Sequence, residues 1–171
     1  RLIIPRIFED ARGYFIETFK ESEFAAQGMG GPFLQENQSR SIRHVLRGLH
    51  FQYPPFAQAK LIRVLRGTIF DVFVDIRPAS PTFGKWAGIT LSGDQPRLLY
   101  VPEGFAHGFV TLSEEADVLY RTTAEYRPDA EGGIRWDDPE LGITWPLSTP
   151  PLLSPRDAAL PFLREIRSKL A

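Results

Sequence analysis

Lys60-Leu61-Ile62-Arg63-Val64-Leu65-Arg66-Gly67-Thr68-Ile69-Phe70-Asp71-Val72-Phe73-Val74-Asp75-Ile76-Arg77 is the stretch that decides the fold class. Val72, Val74 and Ile76 alternate with Phe73, Asp75 and Arg77, the period-two mark of a half-buried strand. Arg66-Gly67 separates two such runs and reads as a hairpin turn. Similar runs recur at 2–7, 14–19, 45–52, 59–66, 86–91, 97–101, 108–112 and 117–123. Fifteen prolines and fourteen glycines punctuate the 171 residues, so the strands are short and the turns closely spaced. Only 20–27, short and polar, and 157–170, with Leu160, Leu163, Ile166 and Leu170 at three- and four-residue steps, read as helices. The expectation is one all-β domain over 1–171: an antiparallel sandwich or barrel with a short N-terminal and a C-terminal helix. The segment 128–155, proline-rich and carrying Trp136 and Trp145, is expected to clasp the barrel.

Composition narrows the function classes. A hydrophobic content of 43% is enough for a closed core. A net charge of −1 without runs of like charge argues against nucleic-acid and membrane-surface binding. Apolar runs are of strand length, so no helix is expected to span a bilayer. Cysteine is absent, which excludes disulfides and thiolate chemistry. With no stretch resembling a signal peptide, the expected compartment is the cytoplasm.

Two of the three histidines, His50 and His107, lie among glycines and aromatics in strand-like segments. Histidine titrates closest to neutrality and is a natural proton carrier. In plain alternation Arg47 and His50 point to opposite faces, but Gly48 between them permits a bulge that aims both into one cavity. The bland reading is an ordinary half-buried histidine beside a bend. Lys60 shares a face with Ile62 and Val64, where it either snorkels to solvent or stabilises an enolate-like oxyanion. Tyr120, sharing a face with Val118 and Thr122, is either a packing residue or a general acid across the substrate from His50; Tyr126 carries the same reading more weakly. Asp157 opens the terminal helix as a cap, and a second role is to orient an imidazole. Arg12, Glu17, Gln35, Asn37, Arg47, Glu131 and Arg156 are unremarkable singly, whereas arginines among aromatics suit a nucleoside diphosphate. The nearest approach to a metal set is His50, His107 and Glu103. Gly48 and Gln52 flank His50 where a His-x-His pair would need a second ligand, so no metal is expected.

Several blocks occur in order: Arg12-Gly13-Tyr14-Phe15, Gln35-Glu36-Asn37, Val45-Leu46-Arg47-Gly48-Leu49-His50-Phe51-Gln52, Phe70-Asp71-Val72, Ser80-Pro81-Thr82-Phe83-Gly84, Pro102-Glu103-Gly104-Phe105-Ala106-His107-Gly108-Phe109 and Trp136-Asp137-Asp138-Pro139. From about Arg6 to Asp157 the chain resembles the dTDP-4-dehydrorhamnose 3,5-epimerase family. The resemblance implies a metal-free, cofactor-independent cupin jelly roll and a homodimer that exchanges N-terminal strands. The implied substrate is a dTDP-linked 4-keto-6-deoxyhexose, epimerised at carbons 3 and 5. It also implies His50 as base, Asp157 as its orienting carboxylate, Tyr120 as proton donor and Lys60 near the keto oxygen. Arg12, Glu17, Gln35, Glu36, Asn37, Arg47, His107, Tyr126, Glu131 and Arg156 fall where the family binds its nucleotide sugar. Gln38, Ala59 and Arg156 depart from the commonest pattern and leave open an epimerase of a single carbon. A non-catalytic sugar-nucleotide cupin and a metal-dependent cupin oxygenase are the more distant readings.

Overall fold

The computed structural model describes residues 1–170. The chain begins with β1 (Leu2–Ile3), then β2 (Ile7–Asp10) and β3 (Gly13–Ile16), followed by the short α1 (Glu21–Ala26). The barrel proper is β4 (Gln35–Ile42), β5 (Leu46–Gln52), β6 (Lys60–Arg66), β7 (Thr68–Asp75), β8 (Trp86–Ser92), β9 (Leu98–Val101), β10 (Phe105–Thr111) and β11 (Glu115–Thr122). It closes with β12 (Glu131–Gly133), α2 (Pro155–Ala158) and α3 (Leu163–Leu170).

Two antiparallel five-stranded sheets face each other, in the orders β1-β9-β6-β11-β4 and β12-β5-β10-β7-β8. Alternation along β7 shows why they stack. Phe73 packs between the sheets with Ile62, Ile69, Leu99, Phe109 and Val118. Val72 and Val74 point the other way, into a second apolar layer with Ile134, Leu141, Trp145, Leu163 and Ile166. Both faces of the strand are therefore buried, which explains its near-continuous apolar run. Burying that much apolar surface, at about 25 cal/mol per Å², is the main force holding the two sheets together.

The 128–155 clasp is present. β12 pairs with β5 from Glu131↔Gln52 to Gly133↔His50, and Trp145 Nε1 donates to the Trp136 carbonyl at 2.9 Å. Asp138 ties this segment to the terminal helix, accepting from the Leu163 N–H at 2.6 Å and from the Glu140 N–H at 2.8 Å.

Four readings of the sequence need correcting. Arg66-Gly67 is no hairpin, because β6 and β7 belong to different sheets. Gly67, with φ of +78°, turns the chain around a corner where a Cβ would lie 2.0 Å from the Glu115 carbonyl oxygen. The helix expected over 157–170 is two helices, α2 and α3, separated around Pro161, which has no N–H to continue the ladder. Residues 35–42, which carry no apolar alternation, form strand β4 at a sheet edge, paired with β11 from Gln35↔Thr122 to Ile42↔Glu115. The early runs at 2–7 and 14–19 are re-partitioned into β1 and the separate β2–β3 ribbon, which pairs with neither large sheet.

Candidate active site

The site opens between the two sheets, and each sheet supplies one wall. On β5 the expected bulge is present: His50 pairs with His107 and Arg47 with Phe109, so β5 spends three residues where β10 spends two. Gly48, at φ +120°, lets the strands close at this point, since a Cβ there would sit 2.7 Å from the Gly108 Cα. The extra residue aims Arg47 and His50 into the same cavity of about 250 Å³, lined also by Lys60, His107, Tyr120 and Asp157.

His50 Nε2 and Asp157 Oδ1 are 2.6 Å apart. An ionised carboxylate only accepts, so the nitrogen facing it carries the hydrogen and Nδ1 is the imidazole's basic atom. Burial opposes ionisation of Asp157, but hydrogen bonds from His50, the Gly48 N–H and Ser154 hold its carboxyl below the usual carboxylate range. Ser154 also caps α2 by accepting from the Asp157 N–H at 3.0 Å, which fixes where that carboxylate stands. The cap expected of this helix start and the contact with the His50 imidazole thus coexist.

The opposite wall comes from β6 and β11. Lys60 pairs with Thr122, and Tyr120 with Ile62, placing Lys60 and Tyr120 diagonally on one face. Lys60 does not snorkel. It is buried, and Nζ donates to the His50 carbonyl at 3.3 Å. Desolvation pushes its ammonium down to about 8, opposed by the negative charge of Asp71. Burial raises the Tyr120 phenol above its ordinary value, with Arg47 partly offsetting it. Tyr120 is therefore held as a protonated acid at neutral pH.

A second lobe of about 220 Å³ continues from His50, Lys60 and Tyr120 past Gln35, Asn37, Tyr126 and Glu131. Gln35 Oε1 accepts from the Tyr126 N–H at 2.7 Å, and the Tyr126 hydroxyl donates to Glu131 at 2.6 Å. Arg156 pairs with Glu131 and reaches the Tyr126 hydroxyl at 3.5 Å, joining the two lobes. Arg47 is braced by Ser41 Oγ at 2.9 Å and the Arg40 carbonyl at 3.2 Å.

Three expected residues lie away from this cavity. Arg12 sits on the β2–β3 turn in an exposed pair with Asp10, and Glu17 is exposed just beyond β3. Glu36 alternates outward between Gln35 and Asn37 and bonds Arg121 instead. Conversely, Ser39, Phe109 and Ser154 line the cavity without a sequence signal that separates them from packing residues. Asp71 was legible only as an acidic residue inside an apolar strand. It is fully buried and bonds His107 at 2.9 Å. His107 does join His50 in the cavity, whereas His44 lies elsewhere against Thr149. Among the described residues, no three of His, Cys, Asp or Glu cluster as a metal set, and no helix is long and apolar enough to cross a membrane.

The model of the dTDP-4-dehydrorhamnose 3,5-epimerase family matches residues 1–165. The chain belongs to that family. It is 51% identical over 163 residues to the dTDP-4-dehydrorhamnose 3,5-epimerase of Salmonella typhimurium, covering 95% of this chain and 89% of the relative. The structure of the Legionella pneumophila epimerase in complex with dTDP-4-keto-L-rhamnose superposes with a TM-score of 0.94 at 47% identity, covering 99% and 90% of the two chains. ChmJ, a 3'-monoepimerase from Streptomyces bikiniensis in complex with dTDP-quinovose, superposes with a TM-score of 0.91 at 35% identity, covering 98% and 85%. As a member of the epimerase family the chain is an isomerase with the cupin fold of its relatives.

Proposed function

We propose that this epimerase converts dTDP-4-dehydro-6-deoxy-D-glucose to dTDP-4-dehydro-L-rhamnose, inverting carbons 3 and 5 in turn. The observation that carries the reading is the division of the cavity between sheets, with His50 on one wall and Lys60 and Tyr120 on the other. A 4-keto group acidifies the C–H bonds on both neighbouring carbons. His50 Nδ1 takes one of those protons, and the electron pair moves into the carbonyl to give an enolate. The Lys60 ammonium stabilises the enolate oxygen, a role a fixed cation fills well in a dry site. The Tyr120 hydroxyl returns a proton to the opposite face, so the centre is inverted rather than restored. Asp157 keeps His50 in the tautomer that leaves Nδ1 free. The substrate's own carbonyl is the electron sink, so the chemistry needs no cofactor.

Gln35, Asn37, Tyr126, Glu131, Arg47, His107 and Arg156 fit the nucleotide end, with the two arginines matched to diphosphate oxygens. We also infer a homodimer with exchanged N-terminal strands, working in the cytoplasm. The β2–β3 ribbon exposes Phe8, Tyr14 and Phe15 and carries Arg12 and Glu17 away from this chain's own cavity. An apolar ribbon of that kind favours burial against a second copy, where both residues would serve the partner's nucleotide site.

The test is incubation with dTDP-4-keto-6-deoxyglucose in deuterated water, followed by proton NMR and trapping with the downstream reductase. Deuterium at both carbons with an L-rhamnose-configured product is the expected result. Label at one carbon only would identify a monoepimerase, and no label would overturn the proton-transfer reading.

A further inference from the structure

Every side chain lining the His50 cavity carries a polar or charged group except that of Phe109. The exception has a defined place. Phe109 lies on β10 two residues beyond His107, so the two side chains leave the same face of that strand. Across the strand pair Phe109 faces Arg47, as His107 faces His50. The Arg47 guanidinium leads away to Ser41 Oγ and the Arg40 carbonyl on β4, which leaves the aromatic ring as the floor beside the two histidines. That ring packs with Ile62 and Val118, so here the apolar interior between the sheets reaches the cavity. Phe109 is only 4% exposed, and what it offers is a patch for one small group rather than for a sugar ring. Phe51, in the second lobe, makes no equivalent patch, because its ring packs against Tyr53 in the outer apolar layer.

A 4-keto-6-deoxyhexose has one hydrocarbon end, the carbon 6 methyl. It is bonded to carbon 5, one of the two carbons that must reach His50. Resting on the 6-deoxy-sugar reading given above, we propose that Phe109 is the specificity-determining residue for carbon 6: it seats the methyl of a 6-deoxy sugar and disfavours the 6-hydroxyl of an ordinary hexose. A methyl laid on the ring takes apolar surface of both out of water. A hydroxyl in the same place gives up its water partners and meets hydrocarbon, with no hydrogen bond in exchange. The remaining walls are polar and suit the oxygen substituents of the sugar. Seating the methyl on Phe109 therefore also fixes which way round the ring lies, with carbon 5 toward β10.

Three probes without a ketone separate the recognition of carbon 6 from catalysis. They are dTDP-6-deoxy-D-glucose, dTDP-D-glucose, which adds the 6-hydroxyl, and dTDP-D-xylose, which lacks carbon 6. In calorimetric titration of the wild type the first should bind about tenfold tighter than either of the others, the worth of one methyl in an apolar seat. Equal affinities for the three would overturn the proposal. Phe109→Leu keeps hydrocarbon in the core while withdrawing the ring from the cavity. It should abolish most of that preference and leave the affinity for dTDP alone unchanged. A preference that survives in the variant would place the methyl elsewhere and overturn the proposal. Should Phe109→Leu fail to fold, a crystal structure of the wild type with dTDP-6-deoxy-D-glucose decides: a methyl within about 4 Å of the Phe109 ring supports the assignment, and a methyl among the polar walls overturns it. Failure of the wild type to bind dTDP itself would instead overturn the nucleotide-sugar reading, a result distinct from any difference among the three sugars.

Discussion

His50 of β5 and His107 of β10 are cross-strand neighbours, and each presents Nε2 to a carboxylate, Asp157 of α2 and Asp71 of β7. Their surroundings differ. The His50 side chain is 32% exposed and its carboxylate comes from a helix cap at the rim, whereas the His107 side chain is 9% exposed and its carboxylate comes from mid-strand. The first pair is open to solvent and is held by an element that packs from outside the sheet. The second is locked inside the barrel. The same two residue types therefore form an accessible pair, suited to the proposed base, in one place and an enclosed pair in the other. What separates them is access, not chemistry.

The largest effect that tests this contrast is His50→Ala, expected to lower deuterium exchange at carbons 3 and 5 by about 10²–10⁴-fold, the usual worth of a positioned base. Its melting temperature should stay within a few degrees of the wild type, because the side chain is partly exposed. His107→Asn is the matched experiment. It should retain exchange at saturating substrate and act mainly on KM, and a loss equal to that of His50→Ala would abolish the distinction. Next comes Tyr120→Phe, expected to lower product formation by about 10²-fold while first deuterium uptake is largely preserved, since the base is untouched. Equal loss of both would argue against a donor on the opposite wall.

Lys60→Met should trade function for stability. Its ammonium is held well below the unfolded value by burial, so the folded chain binds fewer protons between about pH 8 and pH 10.5 and gains stability as pH rises through that window. At neutral pH the charge is a cost, and Met should raise stability by about 2 kcal/mol in chemical denaturation while suppressing exchange. The smallest effect belongs to Asp157. Its depressed carboxyl contributes stability that is fully present above the ordinary carboxylate range and is lost as pH falls through its folded value. Asp157→Asn should remove that acid-sensitive stability, and its denaturation midpoint should vary less below pH 4 than that of the wild type.

Much of this was readable from the residues. Strand β7, the Gly48 bulge and the tryptophan-bearing clasp rest on local rules, and the structure contains each of them, although β7 is buried on both faces rather than half-buried as its alternation suggested. β4 was not readable, because a polar edge strand gets its order from pairing with β11 rather than from burial of its own side chains. The corner at Gly67 mimics a hairpin locally, and only long-range packing assigns its two strands to separate sheets. In the site, His50, Lys60 and Tyr120 announced themselves by being polar on apolar strands. Asp71 was not singled out, because only the fold brings it against His107, 36 positions away. The placement of Glu36 also escaped notice, because a binding motif names three successive residues and a strand turns the middle one outward.

Because His50 and Tyr120 stand on different sheets, the barrel interior works as a caliper. Ile62, Phe109 and Val118 are the packing that sets its opening, and none of them handles a proton. Changing their volume by a methylene or two shifts the jaws relative to a sugar ring held at its nucleotide end. The spacing between His50 and Tyr120 is thus set by core volume as much as by the strands that carry them.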